Sequence, residues 1–199
     1  MTAAVQAPPA ATADQKEDTP FAKAIRSLSF RLDPEQIGAG PLAELRRMDP
    51  LAPVLPPAFW TLLFEHDLDD LRSGDRAERA FAVVLNGMAL MAPKPHEGGK
   101  DPKRRWEHSA GAVLARTGYS EPRFIRLLRA DHVTLALEIG AACRWLRAKG
   151  ETVNWIGFAR FILARLTAPD GETAEDLTHR LSRDYFRALS KSKSEDAAP

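Results

Sequence analysis

Apolar residues recur three or four positions apart along most of this chain, a spacing that places them on one face of an α-helix. The pattern predicts helices over residues 21–30, 41–48, 58–67 and 76–92, and the last is apolar on almost every side. No segment shows the sustained two-residue alternation of a half-buried strand. The sequence therefore predicts an all-α fold with helix 76–92 near its centre.

The second half continues with helices whose ends are marked by residues that favour caps and breaks. The signals are Gly118 as the left-handed end of a short helix, Ser120 and Pro122 at the start of the next, Asp131 and Gly150 around a long helix, and Asn154 before a helix through Leu166. Asp131 is expected to cap its helix or pair with a neighbour, not to contact a polyanion. A last helix is predicted over residues 173–190.

Composition divides the chain into two small helical bundles joined by a basic loop that contains Pro and Gly. The loop has no room for a helix, because proline and glycine interrupt it repeatedly. The first residues are rich in Ala, Pro and Thr, have no period, and are expected to be disordered. The predicted organisation is a disordered tail at 1–20, an N-terminal bundle at 21–92, a basic linker at 93–107, a C-terminal bundle at 108–190 and a polar tail at 191–199.

Charge is unevenly distributed, although the formal net charge of the whole chain is only +1. Residues 94–149 carry 12 Lys and Arg against 6 Asp and Glu, and the rest of the chain carries 16 against 21. A basic middle in an otherwise acidic chain is typical of a protein with one face that meets a polyanion. A solvated, salt-bridged surface is the other interpretation of the same charges.

Three arginines follow one another at intervals of three in the helix that begins after Ser120. At about 100° per residue, Arg123, Arg126 and Arg129 span about 120° of the helix circumference, while Phe124 lies among the apolar positions. A guanidinium is permanently charged and offers a planar fork of donors, which suits phosphate oxygens. The spacing predicts a row of arginines on a surface that binds nucleic acid.

The sequence offers little for catalysis or metal binding. It contains no Gly-rich phosphate loop, no GxSxG elbow and no HExxH pair. The acidic run at 65–70 lacks ligand spacing and is expected to be a solvated helix end. The single cysteine, Cys143, is expected to be a small buried residue, and His96 and His108 are expected to be polar or phosphate-facing residues. We therefore predict that the chain is not an enzyme and uses no cofactor or metal.

The sequence also indicates where in the cell the protein is expected to be. One cysteine cannot form an internal disulfide, and no Cys/His cluster has the spacing of a zinc site. No apolar run approaches the roughly 18 residues of a membrane span, and the first residues lack the pattern of a signal peptide. A soluble cytoplasmic protein is expected.

Three sequence blocks of the second half carry a resemblance to a known family. They are GxxLARTG at 111–118, RFIRLLRAD at 123–131 and VNWxxxAR at 153–160. In order and spacing they resemble the small subunit of the type I-E CRISPR Cascade complex, the CasB family. The first half is similar more weakly, through ELRR at 44–47 and PAFW at 57–60. The amino-terminal tail lies outside the resemblance.

The resemblance implies a non-catalytic, two-bundle helical protein, present as two copies in a ribonucleoprotein complex. That complex pairs a guide RNA with one strand of target DNA, so the implied partners are guide RNA, target DNA, the other Cascade subunits and a second copy of the chain. Exchange of a DNA duplex for an RNA–DNA heteroduplex is nearly balanced in energy, so modest backbone contacts by protein can stabilise the opened duplex, or R-loop.

The predicted nucleic-acid contacts fall into three groups. The positions that match basic residues of the family are Arg46, Arg47, Arg123 and Arg129. The residues that share the basic stretch with a weaker match are Arg116, Arg126 and Arg144. The residues predicted from charge and loop position alone are Lys94, Lys100, Lys103, Arg104 and Arg105.

Two other classes of protein fit parts of the same pattern. A helical DNA-binding regulator could use the turn after Gly118 between two short helices, but it would need base-reading Gln, Asn or Ser where arginines dominate. A helical adaptor that binds protein would keep its charges as solvation. Its binding would not weaken steeply with salt, whereas each phosphate contact releases counterions and is salt-dependent.

Overall fold

The computed structural model describes residues 19–71, 74–93, 96, 102–169 and 171–196. In these residues the chain forms eleven α-helices and one short 3-10 helix, which confirms the predicted all-α class. The helices are α1 (Pro20–Arg31), α2 (Pro34–Ile37), α3 (Ala39–Arg47), α4 (Pro57–Glu65), α5 (Leu68–Leu71), α6 (Asp75–Met91), α7 (Ala110–Arg116), α8 (Glu121–Arg129), α9 (His132–Ala148), α10 (Trp155–Thr167) and α11 (Glu172–Asp196). The 3-10 helix (Pro102–His108) lies between α6 and α7.

The predicted caps at the ends of α7, α9 and α10 are confirmed. Asp131 caps α9 in a capping box with Thr134, and the hydrogen bonds from Thr134 hold the pKa of the Asp131 carboxyl below its ordinary value. The side chain of Asn154 accepts a hydrogen bond from the first turn of α10 at 3.2 Å. Gly118 and Gly150 follow α7 and α9 with φ of 78° and 69°, in the left-handed region that favours glycine.

The structure corrects two element boundaries. Residues 102–107, predicted as part of the linker, belong to the 3-10 helix, and Trp106 of this helix packs against α11. Helix α11 continues to Asp196, beyond its predicted end at Ser190 and into the predicted polar tail. It continues because no glycine or proline interrupts it.

Helix α6 lies at the centre of the fold and packs against α3, α9 and α10. A Cβ added at Gly87 would lie 2.6 Å from the ring of Trp155 and 3.1 Å from Sγ of Cys143, so three helices meet there without room for a side chain. Apolar residues of both predicted halves belong to one continuous core. Packing on α6 thus crosses the boundary between the predicted bundles 21–92 and 108–190, and the division into two bundles stays a prediction.

Close packing at two points holds α7 and α8 against α11. A Cβ added at Gly111 of α7 would lie 2.2 Å from the carbonyl oxygen of Leu181, so only glycine fits there. Phe124 of α8 stacks on Tyr185 with ring centres 3.8 Å apart. The Tyr185 hydroxyl donates to the carbonyl of Tyr119 at 2.7 Å and is satisfied although it is buried. These contacts place α8 with its apolar side inward and its arginines outward.

Helices α3 and α6 satisfy each other's carboxyl ends. The last carbonyls of a helix lack intrahelical partners, and burial makes an unpaired carbonyl costly. The buried side chain of Asn86 on α6 donates to the carbonyls of Leu45 at 2.8 Å and Met48 at 3.2 Å. In return, Nε of Arg46 on α3 donates to the carbonyl of Ala89 at 2.9 Å. The two helices are therefore joined by reciprocal caps.

Replacing Asn86 with Leu is expected to lower the free energy of unfolding by about 2 kcal/mol, because the α3 carbonyls lose their donor and stay buried. Urea denaturation followed by circular dichroism measures this loss. Thr61→Val is the control: the exposed Thr61 hydroxyl donates to a carbonyl of its own helix, so a change below about 0.5 kcal/mol is expected. Equal losses in the two variants would contradict the assigned role of Asn86.

Candidate nucleic-acid interface

Helices α8 and α9 run in opposite directions and together carry the predicted row of arginines. Arg123 at the start of α8 lies over the ring of Trp145 near the end of α9, whereas Arg126 reaches Glu138 near the middle of α9. Arg129 follows one turn later, and all three arginines are exposed, as the spacing predicts. Along the helix axis the row is about 9 Å long at 1.5 Å per residue.

The three arginines differ in how their charge is compensated. Nε of Arg126 donates to Oε1 of Glu138 at 2.6 Å, and this hydrogen bond raises the pKa of Arg126. The Arg126 side chain nevertheless remains 64% exposed. Arg123 faces the Trp145 ring, with its guanidinium carbon 5.9 Å from the ring centre. Within the described part of the chain, neither Arg123 nor Arg129 has a carboxylate partner.

The last turns of α9 extend this basic surface. Arg144 is exposed and has no ion pair with any residue that the structure describes. Nζ of Lys149 lies 5.1 Å from the centre of the Trp145 ring, on the same indole that Arg123 faces. We call Arg123, Arg126, Arg129, Arg144 and Lys149 the α8–α9 strip. Its cations lie along two adjacent helices.

Lys149 and Trp145 are the members of this surface that sequence reasoning missed. A cation at a helix carboxyl end has an ordinary explanation in the helix dipole, so the charge of Lys149 carried no separate signal. The available signal was its spacing, because positions 145 and 149 are one turn apart and therefore adjacent on α9.

Arg46 and Arg147 meet at the carboxyl end of α6. Arg46 donates to the carbonyls of Ala89 at 2.9 Å and Ala92 at 3.3 Å, and Arg147 donates to the carbonyl of Leu90 at 3.1 Å. Burial lowers the pKa of Arg46, and the neighbouring charge of Arg147 lowers it further. These two arginines therefore satisfy carbonyls at the carboxyl end of the central helix α6. The nucleic-acid contact predicted for Arg46 stays a prediction, since two of its nitrogen atoms already serve the fold.

Arg116, Arg47 and Arg105 lie on other elements. Nη2 of Arg116 pairs with Glu151 at 3.1 Å, and Nη1 donates to the carbonyl of Glu107, so this residue ties the end of α7 to the segment after α9. Arg47 is exposed on α3, and Arg105 is half-buried in the 3-10 helix. Their predicted contacts with nucleic acid stay predictions.

Four predicted contacts fall outside what the structure describes. They are Lys94 and Lys100, which lie outside the described residues, and Lys103 and Arg104, whose backbone belongs to the 3-10 helix but whose side chains are not described.

His96, His108 and Cys143, the residues considered above for chemistry, have contacts that serve the fold. Nδ1 of His96 accepts a hydrogen bond from the backbone N–H of Trp155 at 3.0 Å. The carbonyl of His108 accepts one from Asn154 at 2.7 Å. Cys143 is fully buried, and burial raises the pKa of its thiol to about 12, so it is not a thiolate at neutral pH. No group of three His, Cys, Asp or Glu within the described ranges could hold a metal ion.

A cavity of about 580 Å³ lies between α1, α10 and α11. None of the predicted contact residues with a described side chain lines it. Among the helices that the structure describes, none is long and apolar enough to cross a membrane.

Comparison with known proteins agrees with the resemblance seen in the sequence blocks. The family model described as CRISPR-associated protein Cse2 matches residues 41–186. No curated protein matches the chain. The crystal structure of M. ruber CasB shares the fold, with a TM-score of 0.64 and 18% sequence identity over 88% of this chain and 97% of that chain. Because the family match spans most of its length, the chain belongs to the CRISPR-associated protein Cse2 family, the CasB family of Cascade small subunits.

Proposed function

We propose that this chain acts as the non-catalytic small subunit of a type I-E Cascade complex and binds nucleic-acid backbone through the α8–α9 strip. In the cytoplasm it would contact guide RNA, target DNA, the other Cascade subunits and a second copy of itself. Family membership supports the place in Cascade. The observation that supports the binding surface is that four of the five exposed cations of the strip, all except Arg126, have no carboxylate partner among the residues that the structure describes.

The geometry of the strip suits a backbone and not a base sequence. Arginines three apart on a helix rise by about 4.5 Å, and their long side chains extend the reach to successive phosphates. Contacts with phosphate position a nucleic acid without reading its sequence, and in this complex guide pairing would supply the sequence specificity.

The ion pair between Arg126 and Glu138 is compatible with this proposal. The Arg126 side chain is 64% exposed, whereas that of Glu138 is only 13% exposed, so removing Arg126 from Glu138 would leave a mostly buried carboxylate unpaired. A phosphate would therefore bind the guanidinium nitrogens that Glu138 leaves unused. In the absence of nucleic acid, the pair would keep Arg126 extended along α9.

A modest number of such contacts would be sufficient for the proposed role. The heteroduplex formed by the guide is about as stable as the DNA duplex that it replaces, so contacts with the separated strands decide how long the R-loop lasts. Cations along α8 and α9 would bind the backbone of a separated strand and so oppose reannealing of the DNA duplex. The proposed role requires no bond to break.

The other two classes gain less support from the structure. The exposed side of α8 presents arginines where a helix-turn-helix regulator would place base-reading side chains. An adaptor that binds only protein would leave these charges to solvent, and salt dependence separates it from a nucleic-acid-binding subunit.

Co-expression with the other subunits and a guide RNA tests the proposal. We expect the chain to co-purify with the guide-RNA complex, and we expect R-loops formed by that complex to persist longer than those formed without the chain. Permanganate reactivity of the displaced strand measures their lifetime. Absence of the chain from the purified complex, or R-loop lifetimes that do not change when it is omitted, would contradict the proposal.

A further inference from the structure

One aromatic side chain lies among the cations of the α8–α9 strip. Trp145 is half-buried on α9, with Arg123 of α8 and Lys149 of its own helix end both placed over its ring, 5.9 and 5.1 Å from the ring centre. Its indole N–H donates to Oγ1 of Thr117 at 3.1 Å, and the ring of Tyr119 meets it edge-on at 5.8 Å.

These contacts fix the orientation of the indole. The Thr117 hydroxyl itself donates to the carbonyl of Leu114 at 3.0 Å, so the acceptor of the indole N–H is held by α7. The N–H is satisfied within the protein, and the remaining interaction of the ring is through its π face. Trp145 is therefore a pre-oriented aromatic surface at the junction of α7, α8 and α9.

The two cations over the ring keep their net charge. A π face attracts a cation through its quadrupole, but it carries no charge of its own. Neither Arg123 nor Lys149 has an ion pair in the part of the chain that the structure describes. Two positive side chains that share one neutral ring remain available to an anion.

We propose that Trp145 is a base-stacking residue and that, together with Arg123 and Lys149, it forms a binding unit for one nucleotide of a single-stranded nucleic acid. This inference rests on the proposed function and extends it from backbone to base. Arg123 and Lys149 bind the phosphates that flank the nucleotide, and its base takes the place of a cation on the indole. The exchange substitutes one π contact for another and adds two charge-assisted contacts with phosphate.

A base is available for this contact only in a single strand, because the bases of a duplex stack on each other. Stacking on an aromatic side chain is tolerant of sequence, since every base has a π face. This end of the α8–α9 strip therefore binds a separated single strand. The exposed arginines further along α8 bind duplex backbone.

The test compares two ligands of about 12 nucleotides, within the range of single-strand binding sites: oligothymidylate and an abasic oligonucleotide with the same phosphate backbone. Fluorescence anisotropy at low salt gives the Kd of the purified chain for each. We expect the wild-type chain to bind oligothymidylate more tightly. Trp145→Leu should weaken oligothymidylate binding about tenfold and leave abasic binding nearly unchanged, so that the preference for bases disappears.

Two further variants separate stacking from packing. Trp145→Phe keeps an aromatic face and should retain most of the preference for oligothymidylate, even if it shifts the melting temperature. Trp60→Leu removes another half-buried tryptophan, which packs on Phe59 and Phe64, and should leave both Kd values unchanged. The double variant Arg123→Ala with Lys149→Ala should weaken the binding of both ligands. It should also lower the slope of log affinity against log salt by about 1.4.

The outcomes distinguish this inference from the function on which it rests. Suppose that the wild-type chain binds. If Trp145→Leu leaves the ratio of the two Kd values at the wild-type level, or if Trp145→Phe abolishes the preference for oligothymidylate, the indole does not stack a base. The proposed backbone function stands in either case. If wild type binds neither ligand, the proposed function fails and the inference fails with it.

Discussion

Replacing Gly111 with Ala is expected to lower the free energy of unfolding by about 3 kcal/mol, near the upper end of the usual cost of overpacking. The new Cβ would lie 2.2 Å from the carbonyl oxygen of Leu181, and this neighbour is helix backbone that cannot rotate away. Helices α7 and α11 would have to separate, which also disturbs the stacking of Phe124 on Tyr185. Chemical denaturation measures the change.

Gly157→Ala is the matched control for this substitution. Gly157 is also helical, but it is exposed on α10 and a Cβ added there meets nothing within 4 Å. Alanine favours the helix by about 0.8–1.0 kcal/mol over glycine, so this variant should be as stable as wild type or slightly more stable. Similar stabilities of the two variants would show that α7 and α11 do not approach as closely as the structure indicates.

Replacing Arg123, Arg126 and Arg129 together with Ala is expected to weaken binding of single-stranded nucleic acid about 100-fold at low salt, because three charge-assisted contacts are lost. The slope of log affinity against log salt should fall by about 2, since each phosphate contact contributes about 0.7 for a single strand. A mobility-shift titration at several salt concentrations measures both quantities. Some stability should also be lost, because removing Arg126 leaves the mostly buried Glu138 without its partner, and circular dichroism checks that the variant is folded.

A second triple variant controls for net charge. Lys23, Arg76 and Arg183 are exposed on α1, α6 and α11, and their joint replacement with Ala removes the same charge from other helices. We expect at most a few-fold loss of affinity from this variant, through the long-range field alone. If it weakens binding as much as the α8 variant does, overall charge and not the strip accounts for the affinity.

Local signals explain why the helix ends could be predicted. A capping residue acts on the backbone two or three positions away, so Asp131 and Asn154 are recognisable in the sequence without knowledge of the rest of the fold. The predicted end of α11 is too early, because a change to Ser and Lys suggests a tail, whereas the segment contains no glycine or proline that would break the helix.

The partners of the arginines could not be predicted, because they are distant in sequence. Arg46 donates to a carbonyl 43 residues away, and Arg147 to one 57 residues away. A periodic pattern shows which side of a helix is polar, but it does not show which other helix end that side meets. Exposure of the row on α8 was therefore predictable, while the structural role of Arg46 and the link from Arg126 to Glu138 were not.

The reciprocal caps between α3 and α6 have a consequence for local opening of the fold. A helix as short as α3 is not stable alone in water, and its carboxyl end depends on an amide supplied by the centre of another helix. Opening α3 would strip donors from both helices at once, so the two should exchange their amide hydrogens as one cooperative unit. Arg47, at the end of α3, should therefore lose its position only when the end of the central helix α6 opens as well.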